Sequence, residues 1–248
     1  MNRMDIGGQV AVITGGSGDV GRATAARMLR DGAVVYAMDR NPEALAAAAA
    51  AMPGLRTIAV DLLDEAATQA AFGQVAAEAG RLDILVNCVG IEGVRSSTEE
   101  QDIAVWRRIM EINVTAPLIA AKHALPLMRR NDYGRVTFLG STAGKDGNPM
   151  GSAYSASKAA IMTVAKSMGK ELARSGIRVN CVTPAALDSA LFERSSAPDA
   201  RQTALGRIPM GRLGEVDEVA AMICWLSSPD CSFSTGAVFD ISGGRSTY

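Results

Sequence analysis

The sequence predicts an α/β protein: one doubly wound, mostly parallel sheet of seven strands with helices on both faces. Three observations carry that prediction. Short β-rich apolar runs alternate with helical patterns along all 248 residues. Most of the runs are continuously apolar, as strands covered on both faces are. No linker rich in Pro, Gly or Ser divides the chain, so residues 1–248 read as a single domain.

The first strand is read at Val10–Ile13. A glycine-rich turn follows, Thr14-Gly15-Gly16-Ser17-Gly18-Asp19-Val20-Gly21, and a helix begins at Arg22. The second strand, Val34–Met38, leads to Asp39 and the turn Arg40-Asn41-Pro42, and Ala46–Ala51 favours helix on propensity alone. Strands are read again at Thr57–Val60, Ile84–Val86 and Val136–Leu139. Between the last two lies a helical stretch, Ala121 to Met128, that holds the single histidine, His123. Ser141–Ser152 is rich in glycine and polar residues. After it Ile161, Val164, Ala165, Met168 and Leu172 recur at helical spacing. The sixth strand, Val179–Val182, opens a long segment, Pro184–Pro209, within which residues 185–210 read as a lid insertion. Val219, Met222, Ile223 and Leu226 mark the last helix, and Val238–Ile241 the seventh strand. Ligands of open parallel sheets bind beyond the carboxyl ends of the strands, and both irregular stretches follow strands.

Composition narrows the function. Twenty-five Lys and Arg against 26 Asp and Glu leave a net charge of -1, which lacks the basic excess that binds nucleic acid. No apolar run reaches the ~18–20 residues of a membrane span, and the first residues lack the apolar core of a signal peptide. Cys88, Cys181, Cys224 and Cys231 lie far apart without a CxxC pair, which reads as reduced thiols in a cytoplasmic protein. One histidine makes a histidine-based metal site or a Ser-His-Asp triad untenable, and no metal is expected.

The chemistry-bearing residues sit at strand ends. Gly15, Gly16, Gly18 and Gly21 allow a tight turn in which a pyrophosphate approaches backbone N–H groups at a helix N-terminus. Asp39, 18 residues beyond Gly21, can accept both ribose hydroxyls of an adenosine and repel a 2′-phosphate; the plainer alternative is a turn-forming aspartate. Tyr154 and Lys158 share one face at the start of a helix. An ammonium about 5 Å from a phenol, at an effective dielectric near 20, is worth ~3 kcal/mol, enough to lower its pKa by roughly two units. Ser141, 13 residues before Tyr154, follows the fifth strand and can reach the same crevice.

Together with Asn87-Cys88-Val89-Gly90 and Asn113, these segments resemble the short-chain dehydrogenase/reductases, from Gly8 to about Gly244. The resemblance implies a Rossmann-type domain, usually a homotetramer, that moves a hydride between NAD(H) and a secondary alcohol or ketone. It implies that Tyr154 is the general acid/base, that Lys158 holds the nicotinamide ribose and lowers the tyrosine pKa, that Ser141 orients the substrate oxygen and that Asn113 holds a relay water. It also implies a cofactor site of Gly15, Ser17, Asp19, Val20 and Gly21 in the turn, with Asp39 and Arg40 after the second strand. Asp61 and Leu62 flank the adenine, Asn87, Val89 and Gly90 pass the ribose, and Pro184, Leu187 and Ser189 meet the nicotinamide. Asp61 and Asn87 also suit turn caps, and Leu62 and Val89 suit plain packing. The chain departs from the family pattern at Asp19, where glycine is usual and where a helix cap facing solvent is expected, and at Cys88, Ala185 and Ser189. The substrate wall is expected among Glu92, Gly93, Val94, Lys145, Asn148, Met150, Ala185, Ala186, Leu191 and Phe192. Its polar members suggest a polyol, sugar acid or hydroxy acid. An NADPH-dependent reductase of acyl-carrier-protein thioesters and a non-catalytic NAD(H) sensor or scaffold are the alternatives.

Overall fold

The computed structural model describes residues 4–195 and 200–248. Nine strands form: β1 (Val10–Thr14), β2 (Val34–Asp39), β3 (Arg56–Ala59), β4 (Ile84–Asn87), β5 (Gly134–Leu139), β6 (Ile177–Pro184), β7 (Leu187–Asp188), β8 (Gly214–Glu215) and β9 (Val238–Ile241). Seven of them build the main sheet in the order β3-β2-β1-β4-β5-β6-β9, every neighbouring pair parallel. The strand order reverses between β1 and β4, and that switch point opens a crevice above the carboxyl ends. The two-residue strands β7 and β8 pair only with each other, and the sequence pattern had no run long enough to reveal them.

Successive side chains of a strand point to opposite faces, and here both faces are dry. Val10 and Val12 of β1, with Tyr36 and Met38 of β2, join one core beneath α3 (Glu65–Ala79), α5 (Ala116–Arg130) and α7 (Ser152–Glu171). Ala11 and Ile13, with Val35 and Ala37, join the other beneath α1 (Asp19–Arg30), α2 (Pro42–Ala51) and α10 (Val216–Ser227). That is why the strands read as continuous apolar runs rather than alternating ones. The remaining helices are α4 (Ile103–Met110), which continues through a π-helical turn at Glu111–Thr115 into α5, the short α6 (Ala143–Asp146), α8 (Ala190–Ser195) and α9 (Ala200–Arg207).

Helix starts separate structural ends from open ones. Asn41, Asp64 and Asp102 cap α2, α3 and α4 through their side chains, and Glu215 with Glu218 forms a capping box on α10. By contrast α1 and α7 begin at Gly18 and Gly151 with no side-chain cap. Both of these ends border the crevice. The cap expected of Asp19 is not formed: the helix starts three residues earlier than Arg22, Gly18 takes the capping position, and Asp19 becomes the first helical residue.

Candidate active site

The crevice encloses about 1090 Å³ and runs from the glycine turn and Asp39 to Tyr154 and α9. Gly15 adopts φ +63°, and a Cβ there would stand 2.7 Å from the Val89 backbone nitrogen. A Cβ on Gly21 would run into the Gly15 carbonyl oxygen. Only glycine keeps this turn tight and its backbone open to a ligand. The uncapped first turn of α1 lies directly beyond it, with N–H groups and a partial positive charge to meet an anion.

Asp39 ends β2 at the floor of this half. Its Oδ2 accepts from Ser17 Oγ at 2.6 Å and from Ser17 N at 3.4 Å, and its Oδ1 accepts from Asn41 N at 3.2 Å. The carboxylate therefore braces the glycine turn as well as facing the crevice. Gly15, Ser17, Asp19, Val20 and Gly21 all line it, as do Asp39, Arg40, Asp61, Leu62, Val89 and Gly90. Pro184, Leu187 and Ser189 close the side at β6 and β7. Several have second duties: Asp61 Oδ1 accepts from Leu63 N at 3.0 Å, Ser189 Oγ from Phe192 N at 3.2 Å, and Leu62 is packed in the core. Asp19 lines the crevice too, half-buried at the start of α1.

Asn87 is the exception. It is not part of the lining; it is buried below it, and its Oδ1 accepts from Thr14 Oγ1 at 3.0 Å, tying β4 to β1. Asn113 is also out of the crevice, 1% exposed. Its Oδ1 accepts from Ile91 N at 2.8 Å, and its Nδ2 donates to Ile91 O and to Ser157 Oγ, both at 2.9 Å. Its side-chain bonds in the structure go to protein, so the side chain clamps the loop after β4 to α7. The clamp explains its place in a π turn, where a wider coil aims the amide inward.

Ser141, Tyr154 and Lys158 do converge. Tyr154 and Ser141 line the crevice together, and Ser141 Oγ accepts from Ala143 N at 3.1 Å. Lys158 Nζ stands 5.7 Å from the Tyr154 ring centroid and donates to Leu139 O at 2.7 Å. A Cβ on Gly90 would come within 3.4 Å of that ammonium and 3.3 Å of Asn113 Oδ1, so glycine keeps a channel beside both. The expected lowering of the tyrosine is not what the arrangement yields. Burial pushes the phenol up to about 12, with Ser141 opposing and the Glu92 carboxylate adding to the rise. Burial brings Lys158 down to about 8. Both groups are taken out of water, and for the tyrosine that loss outweighs the cation's attraction.

At the substrate end Glu92, Asn148, Met150, Ala185, Ala186 and Phe192 line the crevice. Gly93 and Val94 do not, and Val94 stands 75% exposed. Lys145 turns away as well, with Nζ 3.2 Å from Asp240 Oδ1 and over the ring of Tyr248. The Leu191 side chain lies outside what the structure describes. Sequence reasoning missed four lining arginines: Arg108, which pairs with Glu111 at 3.5 Å, and Arg95, Arg207 and Arg245. No motif marks them, since they come from separate loops and helix ends. Cys88 lines the crevice, its thiol raised to about 12 by burial, and all four cysteines are free.

A family model described as short chain dehydrogenase matches residues 9–200. The chain is 41% identical over 243 residues, 97% of its length and 96% of the relative's, to 2-dehydro-3-deoxy-L-rhamnonate dehydrogenase (NAD(+)) of Sphingomonas sp. (strain SKA58). It is 38% identical over 239 residues, 95% of its length and 96% of the relative's, to cis-4-hydroxycyclohexanecarboxylate dehydrogenase of Sinomonas cyclohexanicum. Among solved structures, NAD+-bound xylitol dehydrogenase superposes with a TM-score of 0.90 at 28% identity, covering 97% of this chain and 100% of that one.

Proposed function

The chain belongs to the short-chain dehydrogenase/reductase family, and from that premise we propose that it is an NAD-dependent dehydrogenase of a small hydroxylated substrate: a polyol, sugar acid or hydroxy acid. The observation that carries the reading is one crevice with Asp39 and the bare N-terminus of α1 at one end and Ser141, Tyr154 and Lys158 together at the other. Its support lies in relatives whose names give NAD+ as coenzyme and hydroxylated acids as substrates. When bound, NAD+ supplies the hydride acceptor. Backbone N–H groups of the turn and of α1 suit its pyrophosphate, and Asp39 suits a ribose with both hydroxyls free.

The protein's own part is to hold and move a proton. Ser141 and Tyr154 present two hydroxyls to the substrate oxygen, and Tyr154 takes the alcohol proton as the carbinol carbon loses its hydride. Lys158, fixed by Leu139 O, keeps a cation beside the ring as negative charge develops there. Asn113, through Ile91 and Ser157, holds α7 at the depth where these groups meet. The proposal extends to a single domain with residues 185–210 as its lid, of which 196–199 lie outside the described residues, in a cytoplasmic homotetramer. Free thiols support the compartment, and exposed Ile103 and Leu118 support association between copies. Among the described residues no helix is long and apolar enough to cross a membrane.

The test is a panel of secondary alcohols, including xylitol, gluconate and cis-4-hydroxycyclohexanecarboxylate, followed with NAD+ by NADH absorbance. Oxidation needs the phenolate form of a group near 12, so kcat/KM rises about tenfold per pH unit from ~pH 6 and bends near 8, where Lys158 loses its charge. Failure to form NADH from any alcohol defeats the reading, and a pH-independent rate defeats the role of Tyr154.

Asp19 gives a second expected result. A carboxylate lining the crevice at the start of α1 opposes a pyrophosphate by about 1 kcal/mol at surface-like dielectric. Asp19→Asn therefore tightens NADH binding roughly fivefold in a fluorescence titration. An unchanged Kd means that the carboxylate does not face the phosphates.

A further inference from the structure

Three arginines that no motif announced line the substrate end of the crevice, and the chain holds them in place. Arg95 and Arg245 grip the Asn148–Met150 loop from opposite sides. Arg95 Nη2 donates to Pro149 O at 3.2 Å, and the next residue's backbone N–H, that of Ser96, donates to Met150 O at 3.0 Å. Arg245 Nη2 donates to Asn148 Oδ1 at 3.0 Å, while its Nε lies 3.5 Å from Asp146 Oδ2. The loop is fastened next to the reacting tyrosine, because Asn148 N donates to Ser155 Oγ at 3.0 Å. Met150 within it adopts φ +59°, a conformation that a side-chain-bearing residue holds only where its surroundings impose it.

The Arg245 side chain is only 13% exposed, yet these contacts leave both N–H groups of Nη1 without a partner among the described residues. A partly buried guanidinium in a crevice wall, fixed on one side and with donors the protein does not use on the other, suits an anionic acceptor. Arg207 ends α9 on the far side, exposed, with no ion pair among the described residues; nearby, Met210 N donates to Gly243 O, which brings this segment beside the one that carries Arg245. Arg95 has no ion pair there either. Arg108, which also lines the crevice, is offset by Glu111 at 3.5 Å; against the other three cations stand Glu92, close to Tyr154, and Asp146, so one net positive charge remains.

We propose that the substrate is a hydroxy acid whose carboxylate is bound by Arg245 and Arg95, with Arg207 contributed by α9, while Glu92 and Asn148 accept its remaining hydroxyls. The single surplus charge matches a carboxylate rather than a phosphomonoester dianion. The inference rests on the dehydrogenase reading and deepens it by naming the group that sets specificity.

The probe is a matched pair, cis-4-hydroxycyclohexanecarboxylate and its methyl ester, alike in shape and differing in charge, with glycerate and glycerol 3-phosphate as a second pair. The acid is expected to exceed the ester at least tenfold in kcat/KM, and glycerate to exceed the phosphate. Arg245→Gln and Arg95→Gln each raise KM for the acid tenfold or more and leave kcat within about threefold. The KM for NAD+ is unmoved, and the ester changes less than threefold. Arg245→Lys restores part of the loss, because a point charge replaces a bidentate fork. Arg207→Gln removes no hydrogen bond or ion pair among the described residues, so it guards against misfolding of the other variants; it raises KM for the acid about threefold. Equal use of acid and ester, preference for the phosphate, or equal loss on both members of a pair overturns the inference while the dehydrogenase stands. Absence of turnover on every alcohol overturns both.

Discussion

Tyr154→Phe abolishes alcohol oxidation while NADH still titrates the protein. The phenol lines the inner end of the crevice together with Ser141 and lies beside the Lys158 ammonium. Loss of a general acid/base costs ~10²–10⁴ in rate, and phenylalanine cannot carry a proton at all. The substitution keeps the ring and its burial, so the fold should tolerate it and the glycine turn, on the far side of the crevice, is untouched. Steady-state NADH formation and an NADH fluorescence titration separate the two effects. A variant that retains a tenth of the activity refutes the assignment. Lys158→Ala behaves differently, losing rate and cofactor affinity together, because its ammonium lies next to Gly90 on the cofactor side as well as beside the ring.

The second large effect is coenzyme choice. The wild type prefers NAD+ over NADP+ on the order of 10² or more in kcat/KM, at ~1.4 kcal/mol per decade. Hydrogen bonds from ribose hydroxyls to the Asp39 carboxylate are worth ~1.5–3 kcal/mol each. NADP+ loses one of them and brings a 2′-phosphate within about 4–5 Å of a like charge. Arg40 lines the same part of the crevice and offsets some of that repulsion. Asp39→Ala removes most of the preference. The structure adds a cost that the sequence did not foresee, since the same carboxylate holds Ser17 Oγ, Ser17 N and Asn41 N. Asp39→Ala therefore also raises KM for NAD+, whereas Asp39→Asn keeps acceptors for the turn and alters mainly the preference. Paired kcat/KM values with both coenzymes decide the matter; equal wild-type use of the two removes Asp39 as the discriminator.

The sequence by itself determined the α/β architecture, because strand and helix periodicities are local and seven apolar runs alternate with helical ones. It determined the glycine turn, where backbone φ admits no other residue at Gly15, and the pairing of Tyr154 with Lys158, which one helical turn enforces. Tertiary structure decided what depends on depth and on distant segments. Asn87 and Asp39 both stand at strand ends, yet one is buried beneath the crevice and the other lines it, a difference set by strand order rather than by neighbours in sequence. Burial reversed the expected shift of Tyr154, since desolvation is a property of everything packed around a group and spacing along the chain does not encode it. Arg95, Arg207 and Arg245 meet at one crevice only because the parallel sheet delivers the loops after β4, within the β7–β8 insertion and after β9 to the same edge. Their common field exists only in the folded chain.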